Sequence, residues 1–246
     1  MQSTRYLRST VPWLAVSVGF GVAAYLGYVG TAWLRYGQVR RPATSDETDA
    51  LLDQFMPEYE VAERHHVRVT APAALTFAAA TDLEFTQSDV IRAIFKAREF
   101  VLGSRPDDAT RPSALLAQMK ALGWGVLAEI PDHEIVMGAA TQPWMANVVF
   151  RALRPDQFAA FHELGYVKIV WTLRADPIGS AESVARTETR VTTTDPTARA
   201  KFRRYWSFFS PGIILIRHIA LGLVKKDAER RARTSERVYA EAIWKQ

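Results

Sequence analysis

The stretch from Asp195 to Ala232 limits the fold more than any other. Phe202, Tyr205, Trp206, Phe209, Ile213, Ile216, Ala220 and Leu223 recur at spacings of three and four, the apolar stripe of a long helix. Asp195 followed by Pro196 is a good opening for it, a side-chain cap and then a residue with no amide to satisfy. A second stripe, Phe208, Leu215 and Ile219, widens the apolar arc, so the helix has to be covered on more than one side. Pro211-Gly212 falls in its middle and predicts a kink or short break there.

A different kind of helix is written at the other end. Between Arg8 and Arg35 no residue is charged, and a crossing of the hydrocarbon needs about 20 apolar residues. Trp13, Tyr25, Tyr28 and Trp33 supply interfacial aromatics. The expected layout is a basic tail over 1–10, a transmembrane anchor over 11–35, a juxtamembrane linker over 36–57 and one domain over 58–246. A cleaved secretory signal competes, because Gly21-Val22-Ala23 and Gly30-Thr31-Ala32 have the small-x-small form. The length of the apolar run favours the uncleaved anchor. Arg5 and Arg8 on one side against Arg35, Arg40 and Arg41 on the other give no orientation. Gly19-Phe20-Gly21-Val22-Ala23-Ala24 fits a dinucleotide fingerprint in letters only, since no strand can precede it inside this run.

With 246 residues, 48% of them hydrophobic, the remainder can bury one sizeable core. The net charge of +5 is scattered over every segment, which argues against nucleic acid and leaves a phospholipid surface as the better anionic partner. No cysteine is present, so disulfides, thiolate catalysis and zinc-thiolate sites are excluded together.

Tyr59 to Thr70 alternates as a strand with Tyr59, Val61, Val67 and Val69 on one face. The same period places Glu63 and His65 on that inward face, where an ionisable group needs a partner or a use. Short helices are predicted from Ala71 to Leu83, from Ser88 to Leu102 with Gly103 as the stop, and from Ser113 to Leu122. Arg92, Lys96 and Arg98 mark the polar side of the second. A hairpin follows over Gly125 to Thr141, then an extended piece over Pro143 to Phe150 and a short helix from Pro155 to Glu163. The strands Tyr166 to Asp176 and Glu182 to Thr193 come last before the long helix.

This order, carried by "HHVRVTAPAALTFAAATDL" (65–83), "GWGVLAEIPDHEIVMGAATQPW" (123–144), the strand pair in 165–195 and "RRYWSFFSPGIILIRHIALGLVKKDAERRA" (203–232), resembles the helix-grip fold of the START-like superfamily of polyketide cyclases and lipid-transfer domains. The resemblance implies an α+β domain in which a curved antiparallel sheet wraps a long, Pro-kinked C-terminal helix, here preceded by one transmembrane helix. It further implies an apolar cavity between sheet and helix for a hydrophobic small molecule or lipid. The expected lining is Val67, Val69, Met137, Ile169, Trp171, Thr187, Thr189, Phe202, Trp206 and Phe209. No cofactor is implied, and the five histidines show no metal spacing.

Glu63 with His65 is the one acid-base pair the sequence offers, two residues apart on one strand face. A cyclase, aromatase or hydratase acting on a hydrophobic carbonyl compound could use it; a protein-interaction domain with a filled cavity is the third reading. Arg217 and His218, which interrupt the apolar run Ile213 to Val224, read as the edge of a core helix or as an interfacial stretch.

Overall fold

A computed structural model describes residues 4–38, 44, 45, 47–84, 88–103 and 114–243. The first helix, α1, spans Thr4–Leu34, and a single turn, α2, spans Ala50–Asp53. Strand β1 covers Val61–Val69 and is followed by α3 (Ala73–Thr81), α4 (Asp89–Leu102) and α5 (Leu115–Ala121). The hairpin β2 (Gly125–Ile130) and β3 (Glu134–Thr141) comes next, then β4 (Phe150–Arg151) and α6 (Pro155–Ala160). Strands β5 (Val167–Pro177) and β6 (Ser183–Thr193) lead into α7, Pro196–Ile243.

The six strands form one antiparallel sheet in the order β1-β6-β5-β3-β2, with β4 added to β3. α3 and α7 lie across one face of it. This is the α+β helix-grip arrangement that the element order implies.

Local chemistry explains the boundaries. The Asp195 carboxylate accepts from the amides of Thr197 (2.8 Å) and Ala198 (3.0 Å), and from Gly165, so it caps α7 and ties it to the start of β5; these bonds hold its pKa below the usual aspartate value. Ser88 Oγ caps α4 through the Ile91 amide, and Gly103 ends it at φ 67°, a left-handed conformation suited to glycine. Of the kink or short break expected at Pro211, no break occurs: α7 runs through it and past Ala232 to Ile243. The lost amide of Pro211 removes one intrahelical bond, which packing of the flanking turns outweighs. Of the predicted extended piece only Phe150 pairs with the sheet, together with Arg151 just after it. The tail residues 1–3, the arginines 40 and 41, and the connector 104–112 lie outside the described residues.

The larger apolar cluster joins the inner face of the sheet (Val69, Ile135, Met137, Trp171, Leu173) to α3 and to Leu221, Val224 and Ala228 of α7. The outer face is covered too. Leu52 and Met56, from the segment expected to be a spacer, are fully buried beside Val136, Val170 and Phe158. Its acids meet outer-face arginines: Arg190 donates to Asp53 at 2.5 Å and to the Met56 carbonyl at 2.8 Å, and Arg174 donates to the Thr48 carbonyl at 3.0 Å. Residues 47–60 are therefore part of the domain wall.

Glu134, at the start of β3, is buried near Asp49. Burial, with the adjacent Asp49 carboxyl, pushes its pKa up to about 8 from an ordinary value of 4.5, against the pull of Arg174. The folded protein then keeps a proton that the unfolded chain releases. The associated stabilisation is complete below pH 4.5 and is lost as the pH rises through 8. Thermal melts should show Glu134→Gln matching the wild type near pH 4 and exceeding it at pH 9 by about 1–3 kcal/mol. Parallel pH profiles for the two proteins would contradict this.

Candidate functional site

The register of β1 against β6 sets Glu63 opposite Thr189 and His65 opposite Thr187. All four side chains point to the inner face, a polar patch in an otherwise apolar surface. α7 crosses above it and contributes Arg217, whose Nη2 donates to Thr189 Oγ1 at 2.5 Å and whose Nη1 donates to Thr187 Oγ1 at 3.3 Å. His65 Nε2 stands 3.6 Å from Glu63 Oε2, too far for a good hydrogen bond. The His218 ring meets the His65 ring edge-on, with centroids 4.7 Å apart.

Among the described residues, two buried polar atoms of this cluster, Arg217 Nε and His65 Nε2, have no hydrogen-bond partner, and the His65 side chain is only 9% exposed. Each such group costs about 1–3 kcal/mol while unpaired. Desolvation lowers the Arg217 pKa to about 10, and the Glu63 carboxylate opposes that shift. The guanidinium is still charged at neutral pH. What the chain offers here is a buried cation, an imidazole, a carboxylate and two hydroxyls, an arrangement suited to holding an oxygen-bearing group and to moving a proton at it.

Of the residues predicted from sequence, Glu63, His65, Thr187 and Thr189 come together at this cluster. Val67, Val69, Met137 and Trp171 pack instead into the main core, with Leu221 and Val224. Ile169, Phe202 and Trp206 join Val61, Val167 and Val191 in a second cluster, and Phe209 stacks on Tyr205 at 4.8 Å. Arg217, which the sequence places either at the edge of a core helix or in an interfacial stretch, meets the same cluster. A signal for it existed, since Trp206, Ile213, Arg217, Leu221 and Val224 are in phase on one helix face.

A small pocket opens beside the cluster, lined among others by Glu63, Glu60, Ala32, Tyr36 and Trp206. It lies where α1 ends. Tyr36 donates to Glu60 Oε2 at 2.6 Å, and burial together with that carboxylate raises its phenol pKa. Arg199 reaches the same carboxylate at 3.3 Å, and Glu60 Oε1 accepts from the Thr193 hydroxyl at 2.5 Å.

α1 itself is seated on α7. Tyr25 donates to the Phe208 carbonyl at 2.5 Å, Tyr28 bonds Ser210 at 3.1 Å, and Arg203 donates to the Trp33 carbonyl at 2.9 Å while covering the Trp33 ring at 4.4 Å. By length and composition α7 is also apolar enough to cross a membrane. Its Phe202, Trp206, Leu221 and Val224 pack against the sheet, as the buried side of a core helix does.

No protein-family model matches the chain, and no curated protein matches it. Among solved structures it is similar to the Zhui aromatase/cyclase from Streptomyces sp. R1128, at 15% identity over 71% of this chain and 97% of that one, with a TM-score of 0.25. A START superfamily protein from Mycobacterium smegmatis is similar at 11% identity over 70% and 97%, TM-score 0.25. Norcoclaurine synthase from Thalictrum flavum is similar at 10% identity over 74% and 94%, TM-score 0.28. The chain spans about half, 46%, of the di-domain aromatase/cyclase BexL from the BE-7585A biosynthetic pathway, at 14% identity over 69% of this chain and a TM-score of 0.25. At identities and TM-scores this low, none of these likenesses carries its chemistry to this chain.

Proposed function

We propose that this is a membrane-tethered binding domain for an amphipathic small molecule or lipid, whose oxygen-bearing head sits at the Glu63–His65–Arg217 cluster. The observation that carries the reading is the pair of unpartnered buried atoms, Arg217 Nε and His65 Nε2, in an apolar interior. A ligand oxygen would satisfy them, and the polar groups of a binding site are few and convergent in just this way. The pocket beside Glu63 supplies an approach from the end of α1. The tether is α1, with its uncharged run between Arg8 and Arg35.

Catalysis on a hydrophobic carbonyl compound is the second reading, favoured by the proximity of the Glu63 carboxylate and the His65 imidazole. Native mass spectrometry with organic extraction, on the full chain purified in detergent, tests both. A stoichiometric passenger with an apolar body and a carboxylate or carbonyl head is the expected result. Glu63→Gln and His65→Gln should retain that passenger if the domain only binds, and should retain it but abolish its turnover if the domain is an enzyme. An empty protein that shows no thermal shift across a lipid panel would overturn both readings and favour a protein-interaction domain.

A further inference from the structure

α4 carries more apolar surface than its packing uses. Ile91 is fully buried, Ile94 touches the backbone of α7 at Gly212, and Arg98 bonds the Tyr205 hydroxyl (3.4 Å) and the Pro143 carbonyl (3.1 Å). Those contacts define its inner face, and they place Arg98 there and not on the polar side with Arg92 and Lys96. Val90, Ala93, Ala97, Phe100 and Val101 make a second row at spacings of three and four, rotated off that face. All five are exposed, Phe100 at 88% and Val101 at 66%.

The row does not stand alone. α4 and α1 are both held by the short stretch of α7 between Arg203 and Gly212. Phe208 and Leu215 of α7 are exposed at 42% and 46%, and Phe20, Val22 and Leu26 of α1 are exposed as well. Only 22% of the most apolar window of α7 is buried. Three neighbouring helices thus leave large apolar side chains uncovered, and an exposed apolar surface of this extent marks an interaction face.

We propose that the outer row of α4, with Phe208 and Leu215 of α7, lies in the interfacial layer of the bilayer that α1 enters. This inference rests on the reading of α1 as the anchor. A bilayer is the occupant that fits, because the same surface continues into a helix with no charged residue between Arg8 and Arg35. Arg92 and Lys96 border the row on its polar side, at the level where basic side chains meet lipid phosphates, and the chain as a whole is at +5. Phe100 and Val101 would seat the domain as side-on wedges, with the sheet held above the headgroups.

The absence of cysteine from the chain makes single-site labelling direct. Leu26→Cys (α1), Phe100→Cys (α4) and Leu164→Cys, a 75% exposed position before β5, would each carry an environment-sensitive fluorophore. The full chain is reconstituted in vesicles of phosphatidylcholine with one third phosphatidylglycerol, with and without doxyl-labelled lipid. Strong quenching at positions 26 and 100 and none at 164 is the expected result. Adding Arg92→Glu and Lys96→Glu to the position-100 reporter should lower the docked-to-undocked ratio about tenfold or more. Quenching at 26 without quenching at 100 overturns the docking face and leaves the anchor standing; quenching at neither position removes the anchor as well. A position-100 label shielded from aqueous iodide but unaffected by doxyl lipid would mean that a protein, and not the bilayer, covers α4, and would also overturn the proposal.

Discussion

Exchanging Arg217 for leucine should weaken binding of a long-chain carboxylate such as oleate by about 100-fold, with the fold retained. Removing one member of a buried, hydrogen-bonded charge pair typically costs about 2–5 kcal/mol of binding, and each 1.4 kcal/mol is about tenfold. Arg217→Lys should lose less, about tenfold, because it keeps the charge and gives up the fork that spans Thr187 and Thr189. The fold is expected to survive because the substitution takes a desolvated cation out of an apolar interior. Calorimetric titration with oleate and with oleyl alcohol reads the result. If the leucine variant binds oleate as the wild type does, the head group is not at this cluster. Equal loss for acid and alcohol would place the role of Arg217 in shaping the site and not in charge recognition.

The largest effect on stability is expected at Gly123, between α5 and β2. Its φ is +98°, which L side chains rarely adopt, and an added Cβ would overlap the Phe150 carbonyl oxygen in the backbone of β4. Backbone cannot step aside as a side-chain tip can. Gly123→Ala should therefore cost about 3 kcal/mol or more, a fall in Tm of roughly 6–12 °C for a domain of this size. Gly103→Ala is the control, since its φ is also positive but nothing lies within 4 Å of the added atom. Denaturant melts of both variants check the difference, and similar losses at the two positions would show that conformation alone, and not the Phe150 contact, sets the cost.

Period and capping made most of the architecture legible. The helix cap at Asp195, the stop at Gly103, the β2–β3 hairpin and the inward pairing of Glu63 with His65 all follow from residues within a few positions of one another. Two features escaped for a common reason: they are set by partners remote in sequence. Pro211 reads locally as a kink or short break, and the sheet and α1 hold the helix continuous on both sides of it. Leu52 and Met56 read as linker because their neighbours are acidic. Those acids pair with Arg174 and Arg190, more than a hundred residues later. The outer-face arginines Arg64, Arg68, Arg174, Arg186 and Arg190 were the available sign that something acidic covers that face. The half of the site that α7 supplies was hidden similarly, since Arg217 looks like an interruption until its phase with Trp206 and Leu221 is followed.

The way α1 joins the domain has a mechanical meaning. A globular unit hung from a bilayer by a loose chain sweeps a hemisphere, and its reach grows with the square root of that chain's length. Here the helix is clamped to α7 by Tyr25, Tyr28 and Arg203, and residues 47–60 are folded into the outer wall of the sheet. If α1 stands in a membrane, the domain is mounted on it like a fixture, with one orientation and almost no radius of search. Its pocket beside Glu63 would then serve only what arrives at the foot of its own anchor, by lateral diffusion in two dimensions.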